Sequence, residues 1–287
     1  MARPVVLKLG GELVEEPAHL KSAVDAIAAV RRSTPLVVVH GGGREIDAAL
    51  KVAGIEKRQV DGLRITDDST LDVAVSVLTG AVNTRLVAAL NAAGVPAVGL
   101  TGADGRCGLA VRASAHRTVD GRTVDLGHVG NPSEESDVRL LETLLTAGFV
   151  PVIASIGVAQ TGELLNINAD TFAGHLAARL GARRLVIGGS TAGVLDDNGT
   201  TVPLLDADAI AGLFTAGTAT AGMIAKLRAC QHALGAGVGD VVIVDGRQRA
   251  TIEAAAAGEI PADATHMVPT VPATIKKARM TAPVATT

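Results

Sequence analysis

The chain has 287 residues, with 26 basic and 29 acidic side chains and a net charge of -3, and this length can form one large α/β domain or two lobes. The balanced charge, and a content of three Phe with no Trp or Tyr, argue against nucleic acid and anionic membranes as partners. Two cysteines, Cys107 and Cys230, are too few for a disulfide framework. The first residues lead directly into an apolar strand, and no run of about 18 apolar residues follows. These features predict a soluble, cytoplasmic protein.

Two strands that end in glycines open the chain. Residues 5–11 have a buried-strand pattern that contains Lys8 and ends in two glycines, and residues 36–40 form a second strand that runs into the glycines 41–43. Helical spacing of apolar residues across 19–32 predicts a βαβ crossover, which brings both glycine loops to one carboxyl edge of a parallel sheet. Glycine N–H groups at a helix start favour an anion, so this edge is a candidate phosphate site. Sharp turns and a solvated lysine are the alternative interpretation.

The next segment contains an arginine and a long glycine-rich region. Arg64 lies directly before a predicted helix whose N-cap is Thr66 or Asp67. A surface position is the simplest interpretation of this arginine, and ligand binding is the alternative. From 102 to 130, glycines and polar residues alternate with short strand-like runs, which predicts a hairpin-rich insertion or lid.

Two amides and a carboxylate follow in close sequence. Asn166 and Asn168 alternate with an apolar residue, so both amides point the same way if the segment is extended. Asp170 then begins a helix predicted to extend to residue 180. This carboxylate could cap the helix, or it could belong to the same site as the amides.

The βα pattern restarts after residue 181. Lys226 lies near the N-terminal end of a helix, where the helix dipole disfavours a cation, so a bound anion would explain it and a solvated lysine is the alternative. The other elements predicted after residue 130 are helices at 136–147, 207–214, 218–235 and 250–257 and strands at 149–154, 184–187 and 241–246. Residues from 274 onward lose apolar periodicity and are predicted to form a frayed tail.

Six motifs occur in unbroken order between residues 4 and 260. They are Lys8-Leu9-Gly10-Gly11, His40-Gly41-Gly42-Gly43, Gly62-Leu63-Arg64-Ile65-Thr66-Asp67, Leu126-Gly127-His128-Val129-Gly130, Asn166-Ile167-Asn168-Ala169-Asp170 and Gly222-Met223-Ile224-Ala225-Lys226. Together they resemble the amino-acid kinase superfamily and, within it, the family of N-acetylglutamate kinases, enzymes of arginine biosynthesis. Each motif alone has low specificity, whereas six in order are highly specific.

The resemblance implies a fold and a domain organisation. The fold class is α/β, a three-layer αβα sandwich with an open, mainly parallel sheet, as in carbamate kinases. Residues 1–180 would form an N-terminal lobe for the acyl substrate and for homodimer formation, and residues 181–270 a C-terminal lobe for ATP. Residues 271–287 would be a flexible tail.

The resemblance also implies residue roles, carried over by matching position. Lys8 and Lys226 would stabilise the transferring phosphoryl group, Asp170 would orient both lysines, and Gly11 would donate its N–H. The residues implied to bind the substrate N-acetyl-L-glutamate are Gly42, Gly43, Arg64, Asn166 and Asn168. Those implied to bind the nucleotide are Gly10, Ser190, Thr191, Gly193, Val194, Leu195 and Gly222. Mg²⁺ would be held mainly by the phosphates of ATP, without protein metal ligands.

This assignment agrees with the chemistry of an acyl-phosphate kinase. The γ-carboxylate of an acyl-glutamate is ionised at neutral pH, so its attack on the γ-phosphorus of ATP needs no general base. The reaction instead needs positioning and charge neutralisation, because two anions meet and negative charge spreads over several oxygens. Arginine suits the second carboxylate because its guanidinium binds in a bidentate way.

Some residues depart from the family pattern. Ser190 stands where an acidic residue is expected, and Ala221 where glycine or aspartate is common, so the nucleotide site is less defined than the acyl site. The chain begins seven residues before Lys8, without the N-terminal helix of the arginine-inhibited hexamers, which predicts a dimer insensitive to arginine. The alternatives are a sister kinase acting on carrier-bound α-aminoadipate and a non-catalytic binding or regulatory protein with the same fold.

Overall fold

The computed structural model describes residues 2–118, 120–216 and 221–269. These residues form an eight-stranded sheet in which six strands, β15 included, run parallel to one another. The remaining two, β16 and β14, run parallel to each other, and β16 is antiparallel to its neighbour β15. The strands, numbered in chain order and given in spatial order, are β14 (Leu204–Leu205), β16 (Thr265–Met267), β15 (Val241–Asp245), β13 (Arg184–Gly189), β1 (Val5–Leu9), β2 (Leu36–His40), β10 (Val150–Ala154) and β5 (Ala97–Thr101).

Helices and short antiparallel hairpins complete the described fold. The helices are α1 (Gly11–Glu15), α2 (Pro17–Val30), α3 (Gly43–Val52), α4 (Asp68–Val75), α5 (Asn83–Ala92), α6 (Arg139–Thr146), α7 (Ala169–Arg179), α8 (Ala207–Ala216), α9 (Ala221–Gly235) and α10 (Arg249–Ala257), with a π-helical segment at Ser76–Val82 and a 3₁₀ turn at Asp104–Arg106. The hairpins pair β3 (Gln59–Val60) with β4 (Leu63–Arg64), β6 (Ala110–Arg112) with β9 (Gly130–Pro132), β7 (His116–Arg117) with β8 (Thr123–Val124), and β11 (Ile156–Val158) with β12 (Leu164–Asn166).

The central strands are buried on both faces. Every residue of β1 and β2 is buried, as expected for parallel strands with helices on each side. Val6 packs in a core cluster with α7 and α9, whereas Val5 and Leu7 pack in a second cluster with α2, α5 and α10. Alternate residues of one strand therefore face different helical layers, and the predicted three-layer α/β fold is confirmed.

A continuous helical run flanks the sheet at β5. It comprises α4, the π-helical segment and α5, and Asp67 caps it by accepting a hydrogen bond from the Thr70 N–H at 2.9 Å. By length and mean hydropathy (1.6) this run is the one described helix that could cross a membrane. Core helices of soluble proteins share this length and hydropathy. Leu86 and Leu90 of this run are buried in the sheet's core cluster.

Several short elements differ from the sequence prediction. The hairpin-rich insertion at 102–130 is confirmed as two antiparallel pairs, with β7–β8 nested inside β6–β9. The sequence pattern does not predict α1, the hairpins β3–β4 and β11–β12, or the last two strands at one side of the sheet, β16 and β14. These elements have two to five residues, too few for a periodic pattern. Part of the predicted helix start at 218 and the tail from 274 lie outside the described residues.

Candidate active site

A cavity of about 240 Å³ opens at the carboxyl ends of β1 and β2. Because Leu9 and His40 are register partners in these parallel strands, the two glycine loops leave the sheet side by side. A Cβ on Gly11 would lie 3.0 Å from the Gly42 Cα, so glycine permits this close approach. The site residues predicted from the sequence that line the cavity are Lys8, Gly11, Gly42, Gly43, Arg64, Asn166, Asn168 and Asp170.

A buried ion pair lies at the floor of the cavity. Lys8 Nζ is 2.9 Å from Asp170 Oδ1, and the two side chains are 11% and 12% exposed. Burial raises the pKa of Asp170, but the charges of Lys8 and Lys226 outweigh this effect, so the pKa is lowered and the carboxylate is ionised at neutral pH. Two cations around one carboxylate leave an excess positive charge, which favours an anionic ligand.

Lys226 reaches this region from the other half of the sheet. It lies on α9, and its Nζ is 3.5 Å from the position that a Cβ on Gly189 would occupy, at the end of β13. Since β13 pairs with β1 on the side opposite β2, Lys226 reaches the carboxyl edge from α9 at the end of β13, beside the strand that carries Lys8. The structure therefore brings Lys8, Asp170 and Lys226 together.

The cap of α7 is an asparagine and not the aspartate. Asn168 is the N-cap, and its Oδ1 accepts hydrogen bonds from the N–H groups of Asp170 (3.0 Å) and Thr171 (3.1 Å). The Asp170 carboxylate is thus left to pair with Lys8. Asn166 donates through Nδ2 to Thr66 Oγ1 at 3.2 Å, and both amide side chains border the same cavity.

The Arg64 guanidinium has one terminal nitrogen that is hydrogen-bonded and one that is not. It lies on β4, and its Nη2 donates to the Asp47 carboxylate and to the Gly43 carbonyl oxygen. Its Nη1 is buried and has no hydrogen-bond partner among the described residues. A buried cationic N–H without an acceptor is costly, and a ligand carboxylate would satisfy it.

The N-terminus of α3 is capped from a distant element. Gly42 is the N-cap residue and has no side chain, and the Glu15 carboxylate of α1 accepts a hydrogen bond from the Glu45 N–H at 3.3 Å instead. Burial raises the pKa of Glu15, although the Glu45 N–H opposes this. This cap ties α1 to α3 and so holds the two glycine loops together.

The predicted nucleotide-binding residues lie apart from this cavity. Val194 is buried and donates its N–H to Thr265 Oγ1 at 2.8 Å, and a Cβ on Gly193 would lie 2.4 Å from the same oxygen. This part of the loop therefore packs against β16. The other predicted nucleotide residues near these strands and α9 are Ser190 and Leu195, which are exposed, Thr191, which is partly buried, and Gly222, which is exposed in the first turn of α9. Gly10 donates its N–H to the Gly188 carbonyl at 3.0 Å.

Sequence reasoning missed other residues of the site. Gln59 and Ser155 line the cavity, but they belong to or adjoin hairpins too short to predict. His128, which belongs to the fourth sequence motif, is not among the residues that line the cavity. It lies between the carboxylates of Asp68 and Glu163, with its Nδ1 2.7 Å from the latter, and no local sequence pattern predicts these two partners.

The two thiols do not contribute chemistry at this site. Cys107 and Cys230 are free and buried, and burial raises the pKa of each to about 12. Within the described ranges no group of three metal-binding side chains occurs. The acid at the centre of the cavity, Asp170, is already paired with lysine, so a divalent ion fits here only if the phosphates of a nucleotide hold it.

Comparisons with known proteins identify the relatives of this chain. The model of the amino acid kinase family matches residues 3–245. The acetylglutamate kinase of Novosphingobium aromaticivorans is 43% identical over 253 residues, which are 84% of this chain and 83% of the relative. That of Methanopyrus kandleri is 40% identical over 243 residues, 84% of this chain and 94% of the relative. N-acetylglutamate synthase from Neisseria gonorrhoeae, solved with coenzyme A and N-acetyl-glutamate, superposes with a TM-score of 0.78 at 23% identity over 94% of this chain and 60% of its own, a likeness of fold alone.

Proposed function

Because the chain belongs to the amino acid kinase family, we propose that it is an ATP-dependent kinase that phosphorylates the γ-carboxylate of N-acetyl-L-glutamate in arginine biosynthesis. The relatives named acetylglutamate kinase support this substrate. One observation of the site carries the proposal: a single cavity joins the unpaired Nη1 of Arg64 to the Lys8–Asp170 pair. A substrate with two carboxylates suits such a cavity, with one held by arginine and the other facing the lysines.

The reaction is a transfer of a phosphoryl group between two anions. A γ-carboxylate oxygen forms a bond to the γ-phosphorus while the bond from that phosphorus to the β,γ-bridging oxygen breaks, so ADP leaves and no proton is transferred. Lys8 and Lys226 neutralise the charge that spreads over the phosphoryl oxygens, and the N–H groups of Gly11, Gly42 and Gly43 donate to them. Asp170 holds both ammonium groups in place.

The acyl substrate is oriented by the remaining cavity residues. Arg64 binds the α-carboxylate, and Asn166 with Asn168 binds the α-carboxylate or the amide end. Because the Nη2 of Arg64 also contacts the Gly43 carbonyl, the arginine links the bound acid to the glycine loop. This contact helps align the nucleophilic oxygen with the phosphoryl group.

The nucleotide binds in the second half of the chain in this proposal. Among the described residues, those that line the cavity all precede residue 181, which supports the assignment of 1–180 to the acyl substrate and of 181–270 to ATP. Residues of the loop after β13 and of the start of α9 hold the nucleotide, and its phosphates hold Mg²⁺, which would supply further neutralisation of phosphate charge. We also propose a cytoplasmic homodimer formed through the N-terminal half.

Trapping the acyl phosphate tests the function directly. The protein, incubated with ATP, Mg²⁺, hydroxylamine and N-acetyl-L-glutamate, should form a hydroxamate. N-acetyl-L-glutamine, which lacks the γ-carboxylate, is the matched control and should give none. Turnover only with carrier-bound α-aminoadipate would replace the proposed substrate, and binding of N-acetyl-L-glutamate without any hydroxamate would refute the enzyme assignment.

A further inference from the structure

A histidine and an asparagine lie directly behind the glycine loop, outside the residues given a role so far. His40 is the last residue of β2 and is fully buried, and Asn83 is the first residue of α5. We infer that His40 and Asn83 act together as positioning residues that turn the Gly42 N–H toward the transferring phosphoryl group. This inference rests on the proposed function and explains what orients the Gly42 N–H, one of the donors in that proposal.

The Asn83 amide fixes which imidazole nitrogen is an acceptor. Its Nδ2 lies 3.0 Å from the Val152 carbonyl oxygen, and since a carbonyl only accepts, the group at this position is the NH₂. The same Nδ2 lies 3.0 Å from His40 Nε2. The second amide hydrogen therefore points at Nε2, which must be unprotonated to accept it.

The imidazole is neutral and carries its proton on the other nitrogen. Burial lowers the pKa of His40 to about 4, so one ring proton remains at neutral pH. With Nε2 accepting from Asn83, that proton is on Nδ1. Nδ1 lies 3.1 Å from the Gly41 carbonyl oxygen and donates to it.

A trans peptide transmits this orientation to the next residue. No cis peptide bond occurs in the described residues, and in a trans peptide the C=O and the following N–H point in opposite directions. Because the Gly41 oxygen is held against the buried imidazole, the Gly42 N–H points the other way, toward the cavity that the glycines 41–43 line. Among the described residues, the Gly42 N–H has no protein acceptor.

The π-helical segment packs against Gly42 and leads directly into Asn83. It ends directly before Asn83, and its Leu78 and Val82 side chains lie 3.0 and 3.2 Å from the position of a Cβ on Gly42. On the other side, a Cβ on Gly99 would lie only 2.2 Å from Asn83 Oδ1, so the strand leaves room for the amide. Such segments are frequent at functional sites, and here one sets the position of Asn83.

Two substitutions of His40 test which ring nitrogen matters. In His40→Asn the side-chain NH₂ lies near the position of Nδ1, so the donor to the Gly41 carbonyl is kept. In His40→Gln the side-chain amide lies near the position of Nε2, so the donor to the Gly41 carbonyl is lost. We expect His40→Asn to keep kcat within about fivefold and His40→Gln to lower it by about 100-fold, the scale for one preorganised donor. KM for N-acetyl-L-glutamate should change less than about threefold in both. His175→Gln, a buried histidine outside the cavity lining, is the control and should keep its kcat.

Two NMR measurements decide the inference without turnover. Ring ¹⁵N shifts of His40 in the unaltered protein should show a neutral Nδ1–H tautomer, and AMP-PNP should shift the Gly42 amide resonance in that protein and in His40→Asn but less in His40→Gln. An Nε2–H tautomer, or a kcat for His40→Gln equal to that of His40→Asn, would overturn it. If the unaltered protein makes no acyl phosphate, the proposed function fails, while the tautomer and the AMP-PNP shift still test the positioning pair.

Discussion

Replacing Lys8 with methionine would break the buried ion pair at the centre of the site. Lys8 and Asp170 lie 2.9 Å apart, and both side chains are about nine-tenths buried. Lys8→Met keeps most of the volume and leaves the Asp170 carboxylate with Lys226 as its remaining cationic neighbour. Removing one partner of a buried pair costs about 3–5 kcal/mol. Because Lys226 still compensates part of the charge, we expect the free energy of unfolding to fall by about 3 kcal/mol near neutral pH.

The size of this loss should depend on pH. In the unaltered protein the pKa of Asp170 is lowered, so its contribution to stability is present at neutral pH and is lost as the pH falls through the folded pKa. In Lys8→Met only Lys226 opposes the effect of burial on Asp170, so the pKa of Asp170 in the folded protein rises. Protonation of Asp170 at lower pH then removes the buried negative charge. The difference in stability between the two proteins should therefore be largest near neutral pH and shrink toward pH 4.

Urea denaturation followed by circular dichroism measures this difference. Lys21→Met is the matched control, because Lys21 forms an exposed i,i+4 pair with Asp25 and should lose only about 0.2–0.5 kcal/mol. The double variant Lys8→Met/Asp170→Asn removes both charges and should be more stable than Lys8→Met alone. The reasoning is wrong if Lys8→Met is as stable as Lys21→Met, or if the double variant is less stable than the single one.

Three further predictions concern ligand binding, packing and acid stability. Arg64→Ala should raise KM for N-acetyl-L-glutamate by about 10–100-fold. Arg58 is an exposed arginine, so Arg58→Ala is the control and should leave this KM unchanged. If Arg64→Ala mainly lost ATP binding, the role of Arg64 in binding the substrate carboxylate would be contradicted. Gly42→Ala should lower the free energy of unfolding by about 1–3 kcal/mol, since its Cβ would lie 3.0 Å from a leucine methyl, whereas Gly43→Ala meets no atom within 4 Å; equal losses in urea denaturation would refute this. The buried His40 and His175 each have a pKa of about 4 when folded, against an ordinary 6.5. The free energy of unfolding should therefore fall by about 1.5 kcal/mol for each histidine between pH 6.5 and 5. In urea denaturation His175→Gln should halve this fall, and a free energy that does not change with pH would contradict the neutral, buried state of both rings.

The central strands and the glycine loops are predictable because their physics is local. Strands buried on both faces are unbroken apolar runs, and glycines mark the points where they end. Lys8 stands out because a charge within such a run needs a partner, whereas Arg64 is assigned to the site only through the family resemblance. These signals place most of the cavity before the fold is known.

The parts that sequence reasoning misses depend on distant partners. His40 and Asn83 are 43 positions apart, and no local pattern relates them. The cap of α3 comes from Glu15, 30 positions before the N–H that it accepts. Asn168 and Asp170 are both ordinary capping residues, so only the position of Lys8 shows which of them caps α7 and which pairs with the lysine.

The place of β1 in the sheet has a consequence for how the chain folds. This strand is made before the other strands of the sheet, yet one of its two neighbours, β13, begins at Arg184. Until that segment has left the ribosome, one side of this strand, which is apolar apart from Lys8, has no hydrogen-bonding partner. The pairing that closes it is among the most non-local in the chain. Folding should therefore be slow, with aggregation through the open side of β1 as its main hazard.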